Sequence, residues 1–305
     1  MTRVFRRAIC LGVAFAAAVL PAAAEPQSFE TKRADGSTIH WSLDRPDGDR
    51  PVGIVVLAQG SGCLPAMKSA ALLSARSVFR DYAALAVEKY GVSPSHAPQN
   101  DTLDCPDTFY EHATLSQRVE DYVGVLDALS DEAWWNGDLV LFGGSEGGLV
   151  MGTLAGRVEA NAAVLISTGA GATFGEIVRS GIPPEGWPTV DAVFEEVRNN
   201  PESLERWGGY TYRFWADAID RRVADDMLQS DTAFLLIQGG RDPVPSEISR
   251  AASDLFAEAE RCNLTYWEFP GYDHAMSDRT GASHMEAVIA EARQWVDWQM
   301  AGQEC

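Results

Sequence analysis

Apolar and polar positions along this chain recur with two periods, and their alternation sets the fold class. Val52–Ala58 (VGIVVLA) is a near-continuous apolar run rich in β-branched residues, which reads as a strand buried on both faces. Comparable runs at residues 83–88, 138–142, 162–167, 234–238 and 264–269 predict further strands. Residues 37–43 predict an early one, ending near the polar turn at 45–51. Between these runs the spacing lengthens to that of helices. Helices are predicted over 66–82, 114–129, from the glycines after Ser145 to about Val158, and over 248–259 and 283–300. In the second of these, Val119, Tyr122, Val123, Val125 and Leu126 share one face. Residues 91–107, which include Pro94, Pro98, Cys105 and Pro106, read as a long polar loop.

Strands alternating with helices predict an α/β fold, a doubly wound and mostly parallel sheet with helices on both faces. Residues 170–230 break the rhythm with Pro183-Pro184, Trp187-Pro188 and a dense aromatic group of Trp207, Tyr210, Tyr212, Phe214 and Trp215. That stretch is too long for an ordinary crossover. It is expected to form a small helical cap over the carboxyl edge of the sheet.

The amino-terminal residues change the picture of where the protein works. Arg3, Arg6 and Arg7 precede a short apolar stretch, residues 8–20, and the small residues Ala22-Ala23-Ala24. This order of charge, apolar core and small side chains is that of a secretory signal over residues 1–24. Its apolar stretch is well short of the roughly 20 residues a membrane span needs. Export to the periplasm or medium is therefore expected, with no stable membrane insertion after cleavage. The formal net charge of −20 argues against nucleic acid as a partner, because an acidic body repels phosphate backbones. Beyond the signal lie Cys63, Cys105, Cys262 and Cys305. In an exported chain they suggest disulfides, for which three pairings exist; the expected one joins Cys63 to Cys105 and Cys262 to Cys305. No C-x-x-C or His/Cys spacing resembles a metal site,.

Chemistry concentrates around Ser145. A serine hydroxyl is a poor nucleophile until a neighbouring base takes its proton, and it must stand where a substrate can reach it. Here the apolar strand 138–142 runs straight into Gly143-Gly144-Ser145-Glu146-Gly147-Gly148, with a helical stretch behind. Glycines two before and two after the serine leave room for a sharp strand-to-helix turn. These residues resemble the nucleophile elbow of α/β-hydrolases, and the doubled glycine is similar to that of several esterases and prolyl-oligopeptidase-like peptidases. The resemblance covers the element order from about Val52 to the carboxyl terminus, without matching the cap to a subfamily.

That resemblance implies a chain order of serine, acid, histidine. After strand 234–238 comes Gly239-Gly240-Arg241-Asp242-Pro243, and after strand 264–269 comes Pro270-Gly271-Tyr272-Asp273-His274. Asp242 is thus the expected orienting acid and His274 the expected base. Glu176 and His284 are the rivals. Glu176 lies far past its strand, His284 opens the last helix, and Asp273 is too close in sequence to face the His274 ring. The oxyanion donors implied are the backbone N–H of Glu146 and, from the loop Gln59-Gly60-Ser61-Gly62-Cys63, that of Ser61 or less readily Gly60. This loop resembles the family's H-G-x-G turn with glutamine in place of histidine. The Glu146 side chain reads as a solvated first-turn acid favoured by the helix dipole.

The implied function is hydrolysis of a carboxylic ester through an acyl-enzyme, with a small-molecule ester or peptide substrate and no cofactor or metal. Trp207, Tyr210 and Trp215 are candidates for the substrate pocket, and serve equally well as cap core. Two other readings stand beside it: a prolyl-oligopeptidase-like peptidase, which needs groups to catch a peptide amino terminus, and a non-catalytic binding protein, which has no need of all three residues.

Overall fold

Alternate side chains of Val52–Ala58 go to opposite faces. Ile54, Val56 and Ala58 join one apolar core, Val55 and Leu57 the other. The same division continues in the neighbouring strands, so one sheet separates two cores, as a doubly covered sheet must. The computed structural model describes residues 26–302. The expected signal segment and Cys305 lie outside the described residues.

The chain runs through β1 (Gln27–Lys32), β2 (Thr38–Asp44), β3 (Val52–Ala58), α1 (Ala70–Val78), β4 (Ala83–Val87), α2 (Asp107–His112), α3 (Leu115–Leu129), β5 (Trp135–Gly144), α4 (Glu146–Ala155) and β6 (Ala162–Ile166). Then come α5 (Phe174–Ser180), α6 (Trp187–Asn199), the short hairpin β7 (Arg206–Trp207) and β8 (Tyr210–Thr211), α7 (Tyr212–Ala218) and α8 (Val223–Met227). The last elements are β9 (Ala233–Gly239), α9 (Ser246–Glu258), β10 (Leu264–Phe269) and α10 (Met285–Met300). The main sheet has the order β1-β2-β4-β3-β5-β6-β9-β10. β1 and β2 pair antiparallel, as do β2 and β4, and all later pairs are parallel. α1 and α10 pack together over one face, and α3, α4 and α9 contribute to the core on the other. The carboxyl ends of β3, β5, β9 and β10 therefore share one edge, where ligands bind in open α/β sheets.

Three local features differ from the sequence reading. β1 was not expected: QSFETK shows no apolar alternation, and its hold on the sheet is the ladder to β2 plus Phe29 stacked on Trp41 at 4.5 Å. The helix expected over 66–82 is interrupted. A short turn, Ala66–Lys68, ends at an extended Ser69 before α1 begins. The Ala66 N–H is bound by the buried Glu88 carboxylate, which anchors that turn separately. The polar loop expected over 91–107 gives way to α2 at Asp107.

Between β6 and β9, where the cap is expected, lie α5–α8 and the β7–β8 hairpin. No helix among the described residues is long and apolar enough to cross a membrane.

Cys63, just after β3, is bonded to Cys105, just before α2. Cys262 is not a free thiol, and the Cys305 end of the second expected pairing lies outside the described residues. The Cys63–Cys105 bridge closes a loop of sequence separation 42, worth about 4 kcal/mol in chain-entropy reasoning. Cys63→Ala together with Cys105→Ala is expected to lower the urea and thermal midpoints under oxidising conditions. Unchanged midpoints would count against a stabilising role for this bridge.

Candidate active site

β5 ends at Gly144, and the next residue has a backbone that L-amino acids avoid: Ser145 has φ 54° and ψ −128°. Such a conformation costs of order 1–3 kcal/mol and persists only where its surroundings enforce it. Here the Ser145 N–H donates to Ile166 O at 2.8 Å, and the Ser145 carbonyl accepts from Gly148 and Leu149 at the start of α4. The flanking glycines are sterically required. A Cβ on Gly143 would lie 2.3 Å from Gly147 O, and one on Gly147 would lie 2.2 Å from Ala58 O. The first turn of α4 thus packs backbone to backbone against the end of β3.

Asp242 stands in the turn after β9. One carboxylate oxygen accepts from the Val244 N–H at 2.9 Å, and the other lies 2.7 Å from His274 Nδ1. Because a carboxylate only accepts, that geometry puts the proton on Nδ1 and leaves Nε2 free as a base. The Asp242 side chain is 1% exposed, the His274 side chain 44%. The Asp242 hydrogen bond raises the imidazole pKa above its ordinary value. Burial opposes that, and the Asp242 and Asp273 charges add to it. The His274 loop is held by its own turn, in which the Asp273 carboxylate accepts from the Ala275 and Ser277 N–H groups. It is also held by Ser167, whose hydroxyl donates to His274 O. The rivals are occupied elsewhere: Glu176 closes a capping box at α5, and His284 pairs with Asp278.

Gly60 lies beside the serine, where an added Cβ would sit 3.7 Å from Ser145 Cβ. Ser61 follows it on the cavity wall. Among the described residues neither the Ser61 N–H nor the Glu146 N–H has a protein acceptor, so both are open to a ligand.

The Glu146 side chain is not solvated; it is buried at 3% exposure. Its carboxylate accepts from Lys89 Nζ at 2.7 Å, from Arg118 Nη1 at 3.0 Å and from the Tyr210 hydroxyl. The dipole reading fails because α4 begins inside the protein, where a lone carboxylate could not stay desolvated. Burial pushes the Glu146 carboxyl up, but the Lys89 and Arg118 charges prevail and hold it below its ordinary range. Burial pulls Lys89 down to about 8 despite the Glu146 charge, and pushes the neighbouring Glu88 up to about 7. Gln59 is bound twice by Arg118 Nη2, through its carbonyl at 2.7 Å and its side-chain oxygen at 2.6 Å.

No family model and no curated protein sequence matches the chain. Solved structures do. Est1E from Butyrivibrio proteoclasticus superposes with a TM-score of 0.62 at 19% identity, over 90% of this chain and 99% of that one. The same protein with ferulic acid bound gives 0.63 at 22%, over 88% and 98%. A puromycin-hydrolyzing peptidase from Mycobacterium tuberculosis gives 0.61 at 17%, over 92% of this chain but 41% of its own length. The chain has the α/β-hydrolase fold.

In this α/β-hydrolase fold Ser145 and His274 share the walls of two cavities, of about 170 and 270 Å³. No hydrogen bond joins them; such contacts are often long before substrate binds. The smaller cavity is lined mainly by apolar groups, including Leu72, Phe142, Ile166 and Met285. The larger has Phe174, Ile177, Val178, Ile182 and Trp215. Trp215 and the Tyr210 ring line the larger cavity, while Trp207 stands behind them, accepting the Trp215 indole N–H at 2.8 Å through its carbonyl. Trp207 packs against Trp215 with ring centroids 5.1 Å apart and is not among the residues of that wall. Among the described residues no His, Cys, Asp and Glu cluster is arranged to hold a metal.

Lys89 and Arg118 were missed from sequence. Arg118 had a signal: it lies on the buried stripe of α3 with Leu115, Val119, Tyr122 and Leu126, where a charge needs a buried partner.

Because Asp242 stabilises the imidazolium, NMR titration of His274 should give a midpoint above the usual value of about 6.5. Asp242→Asn should lower it, and an unmoved midpoint would dismiss the contact.

Proposed function

We propose that this chain is an exported serine hydrolase that cleaves carboxylic esters through an acyl-enzyme on Ser145. The observation that carries the reading is the 2.7 Å His274–Asp242 contact beside a serine held at φ 54° in the same cavity walls. In the first half-reaction His274 Nε2 takes the Ser145 proton as Oγ attacks the ester carbonyl. Asp242 keeps the ring oriented and balances the imidazolium. The tetrahedral oxyanion is met by the N–H groups of Ser61 and Glu146, each such donor being worth about 3–4 kcal/mol. Collapse breaks the ester C–O bond, and His274 returns the proton to the departing alcohol. Water activated by His274 then hydrolyses the acyl-serine by the same steps, releasing the acid and restoring Ser145.

Two cavities, one on each account for the acyl and the alcohol part, favour small to medium substrates with apolar groups. Glu146 is the one carboxylate among the described residues lining either cavity, and it is already bound to Lys89, Arg118 and Tyr210. No free carboxylate is left there to catch a peptide amino terminus, which favours an ester over a peptide. Est1E, which binds ferulic acid in one of its structures, is also matched over nearly its whole length, unlike the peptidase. The Cys63–Cys105 disulfide supports export to an oxidising compartment,.

A fluorophosphonate probe should label Ser145. Ser145→Ala should abolish labelling, and either Ser145→Ala or His274→Ala should cut kcat on p-nitrophenyl esters by about 10⁴-fold or more. Folded wild-type protein that takes no label would point to a non-catalytic binding protein. Faster turnover of aminoacyl-nitroanilides than of esters would point to a peptidase.

A further inference from the structure

Ser61 sits in a loop with little side-chain material to hold it, between Gly60 and Gly62. Its N–H belongs to the same planar peptide unit as the Gly60 carbonyl, and the two point in opposite directions across a trans bond. Whatever grips Gly60 O therefore aims Ser61 N–H. Lys89 Nζ donates to Gly60 O at 2.7 Å, and to Glu146 at 2.7 Å. Arg118 holds the preceding carbonyl, Gln59 O, and donates to Glu146 as well. Tyr210 accepts the N–H that follows, that of Gly62, at 2.7 Å and donates its own proton to Glu146. Three peptide groups around Ser61 are thus each held by a different side chain, and all three side chains meet on one carboxylate. That carboxylate is carried by the residue whose backbone supplies the other open N–H.

We propose that Lys89 is a positioning residue for acyl transfer: it sets the direction of the Ser61 N–H by gripping the Gly60 carbonyl, with Glu146, Arg118 and Tyr210 bracing it. This rests on the reaction proposed above. The loop's glycines give the Gly60–Ser61 peptide plane freedom to rotate, and this grip removes that freedom before substrate arrives. The cluster serves the transition state, because the Ser61 N–H matters most when the carbonyl oxygen becomes charged. Lys89 is itself almost wholly buried, so it acts through the loop rather than on substrate.

The test compares wild type, Lys89→Met and Tyr210→Phe on a p-nitrophenyl ester, with active sites counted by end-point fluorophosphonate labelling. Lys89→Met should lower kcat per active site about 100-fold, the scale of a misaimed oxyanion donor, with KM within about threefold. The Ki of a trifluoromethyl ketone, which forms a tetrahedral adduct, should rise by the same factor as kcat/KM falls. Tyr210→Phe removes a single oxygen and should show the same proportionality with a loss of about tenfold; it decides the matter if Lys89→Met does not fold. A kcat per site within threefold of wild type, or a fall in kcat with unchanged ketone affinity, overturns the positioning role while leaving the esterase reading intact. Wild-type protein that neither turns over an ester nor takes the label overturns both.

Discussion

Everything at this site depends on how closely the first turn of α4 approaches the end of β3. With glycine at 147, backbone meets backbone, and no side chain fits between Gly147 and the Ala58 carbonyl. That approach sets the open N–H of Glu146 beside the loop carrying the open N–H of Ser61. It also forces Ser145 through its left-handed turn, since the strand must become a helix with almost no linker. The strain at Ser145 and the closeness of α4 to the segment after β3 are two results of one packing constraint.

Such proximity leaves the Glu146 side chain nowhere to go but inward. An isolated buried carboxylate is expensive, and a buried ion pair is stabilising only when its remaining hydrogen-bonding groups are met. Here two cations and a phenol surround it, and these partners spend their other bonds on loop carbonyls and on the Gly62 N–H. One cluster thus neutralises a charge and ties down a loop. In a chain with formal net charge −20, Lys89 and Arg118 are held together here by the Glu146 carboxylate between them.

Much of this was legible in the sequence. The central parallel strands β3, β4 and β6 announce themselves as apolar runs, because a strand buried on both faces has no polar side to show,. The turns after β9 and β10 point to Asp242 and His274, which the structure brings within hydrogen-bond distance. What escaped was whatever depends on contacts between distant segments. Gln59, Lys89, Arg118, Glu146 and Tyr210 come from separate elements, and no local pattern links them. Glu146 looks like an ordinary first-turn acid because sequence does not tell how deep a helix begins. β1 was hidden because an edge strand with few buried side chains has little periodicity, and the break at Ser69 because its cause, Glu88, comes later in the chain.

The β7–β8 hairpin limits how freely the segment between β6 and β9 can be exchanged. Its tip delivers the Tyr210 hydroxyl to Glu146 and Gly62, whereas Phe174 and Ile177 on α5 line the larger cavity. Grafting a foreign segment without an equivalent phenol would leave the Gly62 N–H without its acceptor and take one of three donors from the buried Glu146 carboxylate, however well its pocket suited a new ligand. The hairpin both lines that cavity, through Gly208 and Tyr210, and holds the loop, whereas the α5 side chains only line it, so α5 can vary with less consequence for the loop than the hairpin can.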